Sequence, residues 1–490
     1  MKRGGDAVRP GSNAARPGSG GPPAALLTPA DHALLLALLR TPTVSPMETG
    51  GPDTGERLWQ AQRAYAEAAG EAGLGVVRHA APGAATLYRD DVPAAVRAAA
   101  RNPAFLAGQP SLVLRLGPAR PRRETVMFNV HLDTVAGGEP ATFDGERFTG
   151  RGAVDAKGPA VALLAGVRAA AAAEPALGRE VSVLVQAVCG EEGGAMGTFG
   201  TRPLVEAGYV GRLNVFCEPT GLRHLPRATA SMTARLRVAG EDAVDDRPEA
   251  GHNASVLLGF LAQYLAAEFG SHPARAGAAG AACVAGLHTG HAHNRVYGTG
   301  SLLVNVAYAD AAEGAAAERA LSDTVADGLR AFTARFAGTR DFARTAAEAA
   351  ALTRLEWDKR GLPALRADLL GDLWAEEVLA AAGVPRQPAA EPAFTCDAIW
   401  MHGIPDTYTT VLGPGRLDTN NAHAAGEFVA LADLEAFAAQ VRALLLSFTD
   451  RLRACARTPH SEPGEHAESS EPGTFDEPGK PGQSSKGNLA

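Results

Sequence analysis

Apolar residues along this chain alternate between two spacings. TPADHALLLALLRTPTV and GERLWQAQRAYAEAAGEAG carry them at helical intervals, SLVLRLG and ETVMFNV read as strands, and the alanine-rich KGPAVALLAGVRAAAAA predicts a helix running into the strand REVSVLVQAV. That order predicts an α/β fold. Between Ser231 and Gly361 the pattern changes: strand TARLRVAG, helix ASVLLGFLAQYLAAEFG, strands AACVAGLHTG and SLLVNVAYAD, a long helix from Ala311 to Phe336, then strand ALTRLEW. This is the β-α-β-β-α-β order of a split βαβ unit. A predicted helix ALRADLLGDLWAEEVLAAAG and an apolar strand in TYTTVLGPG then return to the first pattern. The expected organisation is a larger α/β domain in two parts, 25–230 and 362–456, with a smaller ferredoxin-like domain, 231–361, inserted between them. Residues 1–24 and 457–490 are rich in Gly, Pro and Ser and short of apolar residues, so disordered tails are expected there.

Composition narrows the classes. A chain of 490 residues with 46% apolar content can bury a large core, and it exceeds the comfortable size of one domain. Its 46 basic residues against 54 acids give a net charge of -8, with no basic block for a polyanion, which argues against a nucleic-acid partner. The five cysteines are scattered, so neither a disulfide framework nor a thiolate metal site is indicated. No apolar run reaches membrane-spanning length and the basic N-terminus lacks an apolar core, so a soluble cytoplasmic protein with no membrane partner is expected.

The chemistry lies where polar residues interrupt the ends of apolar strands. FNVHLDTV places His131 and Asp133 two apart, on one face if the strand continues. GRGAVDAKG puts Asp155 in a glycine-rich turn before a helix; VLVQAVCGEEGG puts Glu191 and Glu192 after a strand; LNVFCEPTG puts Glu218 after another; DTNNAHAAGEF supplies His423 after the last. Open α/β sheets gather such residues at the carboxyl ends of their strands. Two imidazoles and four or five carboxylates on one edge, with little beyond Lys157 to neutralise them, would repel one another unless cations sat among them. Imidazole and carboxylate without thiolate suit zinc, cobalt or manganese, and the donors outnumber the needs of one tetrahedral ion, so two divalent ions are expected.

The segments HLDTV, GRGAVDAKG, GEEGG, CEPTG, PEAGHNAS, NRVYGTGSLLVN and GPG followed by AH occur in one order over roughly residues 30–450. Together they resemble the co-catalytic metallopeptidase family of zinc aminoacylases, acetylornithine deacetylases, succinyl-diaminopimelate desuccinylases and glutamate carboxypeptidases. The resemblance implies a metallopeptidase-type catalytic domain whose inserted unit is a lid that can also form a homodimer. It implies that Asp155 bridges two ions, His131 and Glu218 hold one, Glu192 and His423 hold the other, Glu191 is the general base, and Asp133 orients His131. The expected reaction is hydrolysis of an amide in an N-acyl amino acid, a small peptide or a related biosynthetic intermediate.

The lid departs from the resemblance. Where relatives carry a histidine that stabilises the oxyanion, GEDAVDDRPEAGHNAS holds Val244, and where many carry an arginine for a substrate carboxylate, LLVNVAYAD holds Ala307. Asn294 matches the family's lid asparagine. Two accounts follow: either His252, His288, His291 or His293 replaces the missing donor, or the lid has left hydrolysis and the chain binds metal with altered chemistry. Arg295 and Arg416 are the candidates for a substrate guanidinium.

Overall fold

The computed structural model describes residues 25–457 apart from 50–54, 88, 90 and 279. Nearly all of the two expected tails therefore lies outside the described residues. In chain order the principal elements are α1 (Pro29–Arg40), α2 (Gly55–Glu71), β1 (Leu74–Ala80), β2 (Ser111–Leu116), β3 (Thr125–His131), α3 (Lys157–Ala173), β4 (Ser182–Val188) and β5 (Leu213–Phe216). The inserted unit follows as β6 (Ala230–Ala239), β7 (Ala243–Val244), α4 (Ala254–Glu268), β8 (Ala282–His288), β9 (Arg295–Val296), β10 (Thr299–Tyr308), α5 (Ala311–Phe336), α6 (Ala343–Leu352) and β11 (Thr353–Lys359). The chain closes with α7 (Leu373–Ala381), β12 (Tyr408–Val411) and α8 (Leu431–Arg457).

The larger sheet has the order β1-β2-β4-β3-β5-β12. β4, β3, β5 and β12 run parallel, so their carboxyl ends share one edge. β3 and β4 are buried along their whole length, as expected of central strands covered on both faces. α3 lies against α8 closely enough that a Cβ on Gly166 would stand 2.7 Å from the Ala438 carbonyl oxygen. Glycine lets these two backbones meet.

The inserted unit forms its own antiparallel sheet in the order β8-β10-β6-β11, the ferredoxin-like arrangement expected from the sequence. Met232, Ala234, Leu236 and Val238 of β6 are buried on the face that carries α4 and α5, while Thr233, Arg235 and Arg237 occupy the other face. Two expectations need correction. α6 is an additional helix between α5 and β11, and the helix expected over 364–383 begins only at Leu373. Gly371 is the reason: at φ +61° it takes a left-handed turn, after which the Asp372 side chain caps α7 by accepting from the Ala375 N–H.

Candidate metal centre

His131 closes β3, and the turn before α3 and the loops after β4, β5 and β12 converge on it. Its Nε2 lies 2.8 Å from Asp155 Oδ1 and 3.8 Å from Glu218 Oε1. The other oxygen of Asp155, Oδ2, lies 3.0 Å from His423 Nε2, which also stands 3.1 Å from Glu192 Oε1. One carboxylate thus faces two imidazoles with a different oxygen each. Three sets of donor atoms lie within 4.8 Å of one another: His131 with Asp155 and Glu218, Asp155 with Glu192 and His423, and His131 with Glu191 and Glu192.

The supports are local. Asp155 sits in the turn before α3, and the N–H groups of Val154 and Asp155 donate to Glu427 Oε1 at 3.0 and 3.3 Å, while Arg151 holds the other oxygen of Glu427 at 2.5 Å. The loop bearing Glu191 leaves β4 through Gly190 at φ +68°, where a Cβ would strike the Phe199 ring at 2.2 Å. Asp133 meets His131 twice: its Oδ1 stands 3.8 Å from His131 Nδ1, beside a closer contact through its main chain. The His131 Nδ1 contact at 2.9 Å is to the main-chain carbonyl of Asp133, and the Asp133 side chain accepts from the Glu192 N–H at 3.2 Å. β3 ends at His131, so the period-two argument does not reach Asp133.

Electrostatics describe what the cluster lacks. Burial raises Glu191 well above the usual carboxylate range, with the charge of Glu192 adding to it. Burial likewise raises Glu218 well above that range, although His131 opposes, and brings Glu192 to about 7. Burial works against Asp155 too, but the hydrogen bonds with His131 and His423 outweigh it and hold its carboxyl low. His423 is lifted to about 10 by its bonds to Asp155 and Glu192. Lys157 does not relieve this crowding, because its Nζ donates to the carbonyls of Leu38 and Thr41, both at 3.0 Å. Buried carboxylates gathered around two imidazoles, with no lysine or arginine among the described residues pairing them, suit divalent cations.

The lid candidates lie apart from this cluster. His252 is buried in the lid, its Nδ1 accepting from the Glu241 N–H at 2.8 Å and its Nε2 3.3 Å from Glu348. His288, His291, His293 and Asn294 are exposed, and none of the three donor sets includes a lid histidine. Val244 is 59% exposed and pairs with Arg295 across β7 and β9. Arg295 is tied to Asp242, and Arg416 is shared between Glu391 at 3.6 Å and Asp418 at 3.5 Å.

Two further acids, Glu427 and Asp397, were not singled out in the sequence. Glu427 follows His423 by four positions and could have been flagged by its place in HAAGEF. Asp397, in FTCDAIW, is fully buried and accepts from Thr201 Oγ1 at 2.5 Å. A lone acid in an apolar run was its only signal.

Residues 127–447 match Peptidase family M20/M25/M40. An Aeropyrum pernix protein named as a LysW-lysine/LysW-ornithine hydrolase is 35% identical over 136 residues, 28% of this chain and 37% of that protein. The chain thus spans little more than a third of this curated relative's length. Similar solved structures include the M20-family metallo-carboxypeptidase Sso-CP2 from Sulfolobus solfataricus, with TM-score 0.60, 13% identity, and coverage of 86% of this chain and 100% of that one. Human carnosine dipeptidase 1 gives TM-score 0.58 at 15% identity, covering 86% and 96%. The YXEP protein of Bacillus subtilis, described as a dinuclear metal-binding peptidase of the M20 family, gives 0.53 at 13% identity, covering 86% and 97%. At these identities the likeness establishes the fold, a catalytic domain with an inserted lid.

Proposed function

The chain belongs to Peptidase family M20/M25/M40, and from that premise we propose that it is a hydrolase of amide bonds using two divalent ions, zinc foremost, with cobalt or manganese as the alternatives. The observation that carries the reading is the split of Asp155, whose two oxygens face His131 at 2.8 Å and His423 at 3.0 Å. In this reading His131, Asp155 and Glu218 would hold one ion, and Asp155, Glu192 and His423 would hold the other. When bound, the ions supply Lewis acidity that lowers the pKa of a water to about 7 and polarises an amide carbonyl.

Glu191, half-buried beside the cluster and outside the two donor sets that share Asp155, serves as the base. It takes the water's proton as the new C–O bond forms, then delivers it to the leaving nitrogen as the C–N bond breaks, giving a carboxylic acid and an amine. Asp133 acts one step behind, holding the Glu192 main chain while its carbonyl fixes His131. The substrates are N-acyl amino acids, small peptides or a related intermediate, which makes the activity that of a deacylase or an exopeptidase such as a carboxypeptidase. A homodimer through the lid and a cytoplasmic setting complete the proposal.

The test is metal analysis of the purified protein, followed by hydrolysis of a panel of N-acetyl amino acids and dipeptides with and without added zinc. Two equivalents of metal with metal-dependent release of amine support the reading. A metal-replete protein that cleaves no member of the panel refutes it.

A further inference from the structure

Glu191 and Glu192 ride on residues 190–197, a loop closed at its neck by the Gly197 N–H, which donates to the Gly190 carbonyl at 2.7 Å. Glu192 has supports of its own. Its N–H is taken by Asp133, its carbonyl accepts from Ser45 Oγ at 3.4 Å, and its carboxylate meets His423. Glu191 has none of these: among the described residues no hydrogen bond reaches its carboxylate, so the main chain of the loop sets where it stands. The neck therefore decides the position of the base.

That neck is gripped by a turn from far along the chain, Asp397–Met401. Asp397 is fully buried, and its carboxyl lies against Gly197, where φ is +60° and a Cβ would stand 2.4 Å from either oxygen. Trp400 Nε1 adds a second hold by donating to the Met196 carbonyl at 2.6 Å. Asp397 Oδ2 accepts from Thr201 Oγ1 at 2.5 Å, and Thr201 Oγ1 accepts from Asn129 Nδ2 at 3.1 Å, with Asn129 on β3 two positions before His131. One buried polar chain thus runs from the strand that bears His131 to the neck of the loop that bears the base. Asp397 Oδ1 has no hydrogen-bond partner, and burial lifts the carboxyl to about 7 against the Thr201 bond. Such a group is costly for stability, and costs of this kind collect at functional sites. We propose that Asp397 is a positioning residue: by pinning Gly197 it fixes the place of the Glu191 carboxylate, while the metal ligands keep their separate supports. This rests on the amide-hydrolase reading above.

The experiment measures kcat, KM, zinc content and amide hydrogen exchange over residues 190–197 in the wild type, Asp397→Ala, Asp397→Asn and the double variant Asp397→Ala with Glu191→Gln. Asp397→Ala is expected to lower kcat by about 10- to 100-fold with KM and zinc content little changed, and to speed exchange in the loop. Asp397→Asn, which can still accept from Thr201, should recover most of the rate. The double variant should be no slower than Glu191→Gln alone, because a positioning residue acts through the base. Should Asp397→Ala not fold, Thr201→Val releases the same carboxylate without emptying its site and should give a loss of about 10-fold with the same lack of additivity. Losses that add to that of Glu191→Gln, a fall in zinc content parallel to the fall in kcat, or an unchanged kcat overturns the proposal. Unchanged exchange and turnover in Asp397→Ala sinks this inference and spares the hydrolase reading. Faster exchange in Asp397→Ala, with no turnover even in the zinc-loaded wild type, sinks the hydrolase reading and leaves the grip on the loop.

Discussion

The carboxylate of Asp133 accepts the main-chain N–H of Glu192 at 3.2 Å. It thereby joins the end of β3 to the loop after β4, and the His131 ring is left to the Asp133 carbonyl at 2.9 Å. Asp133 therefore positions both sides of the site, one through its main chain and one through its side chain. Asp133→Ala should keep the His131 contact, lose the Glu192 contact, and lower metal affinity or kcat/KM by about 10- to 100-fold. Titration with zinc and steady-state kinetics on the same preparations check this, and a variant with wild-type affinity and rate would remove the side chain from the site's support.

Much of this arrangement was legible beforehand, and the limits are instructive. Glycine-flanked acids after apolar strands are visible because a parallel sheet must end in loops at one edge, and His131, Asp155, Glu192, Glu218 and His423 do converge there. The role of the Asp133 side chain was not legible, because it depends on where β3 stops, one residue after Val130. The lid histidines could not be sorted from the sequence, because spacing says nothing about burial: His252 is inside the lid and the other three are on its surface.

Asp155 is expected to bind both ions, so Asp155→Asn should weaken two sites at once. Calorimetry with zinc on the metal-free protein should show two binding events in the wild type and a loss of affinity in both for the variant. A variant that loses one event alone would assign the bridge elsewhere.

Glu191 and Glu192 are adjacent and share one donor set with His131, but Glu192 alone also joins Asp155 and His423, at 3.1 Å from His423. Glu191→Gln should abolish turnover by at least about 100-fold with metal content intact. Glu192→Gln should lose metal. Elemental analysis beside kinetics distinguishes them, and identical behaviour of the two variants would contradict the assignment.

Acid should loosen the attachment of α1. Asp31 caps that helix and pairs with Arg168 at 2.6 Å; burial raises its pKa, but the Arg168 bond and the Thr28 contacts outweigh this and leave it below 3.8. A carboxyl with a depressed folded pKa contributes stability that is present above its unfolded pKa and lost as pH falls through the folded one. Arg168→Met should therefore cost about 1–3 kcal/mol at neutral pH, and less below about pH 3.8. Urea unfolding across that range measures it, and a cost independent of pH would assign Arg168 a packing role only.

His252 gives the sharpest separation between structure and chemistry in the lid. Its Nδ1 accepts the Glu241 N–H at 2.8 Å, its Nε2 faces Glu348 at 3.3 Å, and its ring lies against Gly240, where a Cβ would stand 2.7 Å from it. Each contact is internal to the lid. His252→Ala should leave the Glu241 N–H without its acceptor and open a gap under Gly240, costing about 1–3 kcal/mol in unfolding free energy. Since kcat measures the chemistry of folded molecules, it should change by less than about 3-fold when corrected for the folded fraction, in contrast to the ~100-fold or more expected for an oxyanion donor. Thermal melts paired with kinetics well below the melting temperature read both quantities. A fall in kcat of the larger size, with the melt unchanged, would return His252 to the active site and require the lid to rearrange on closure.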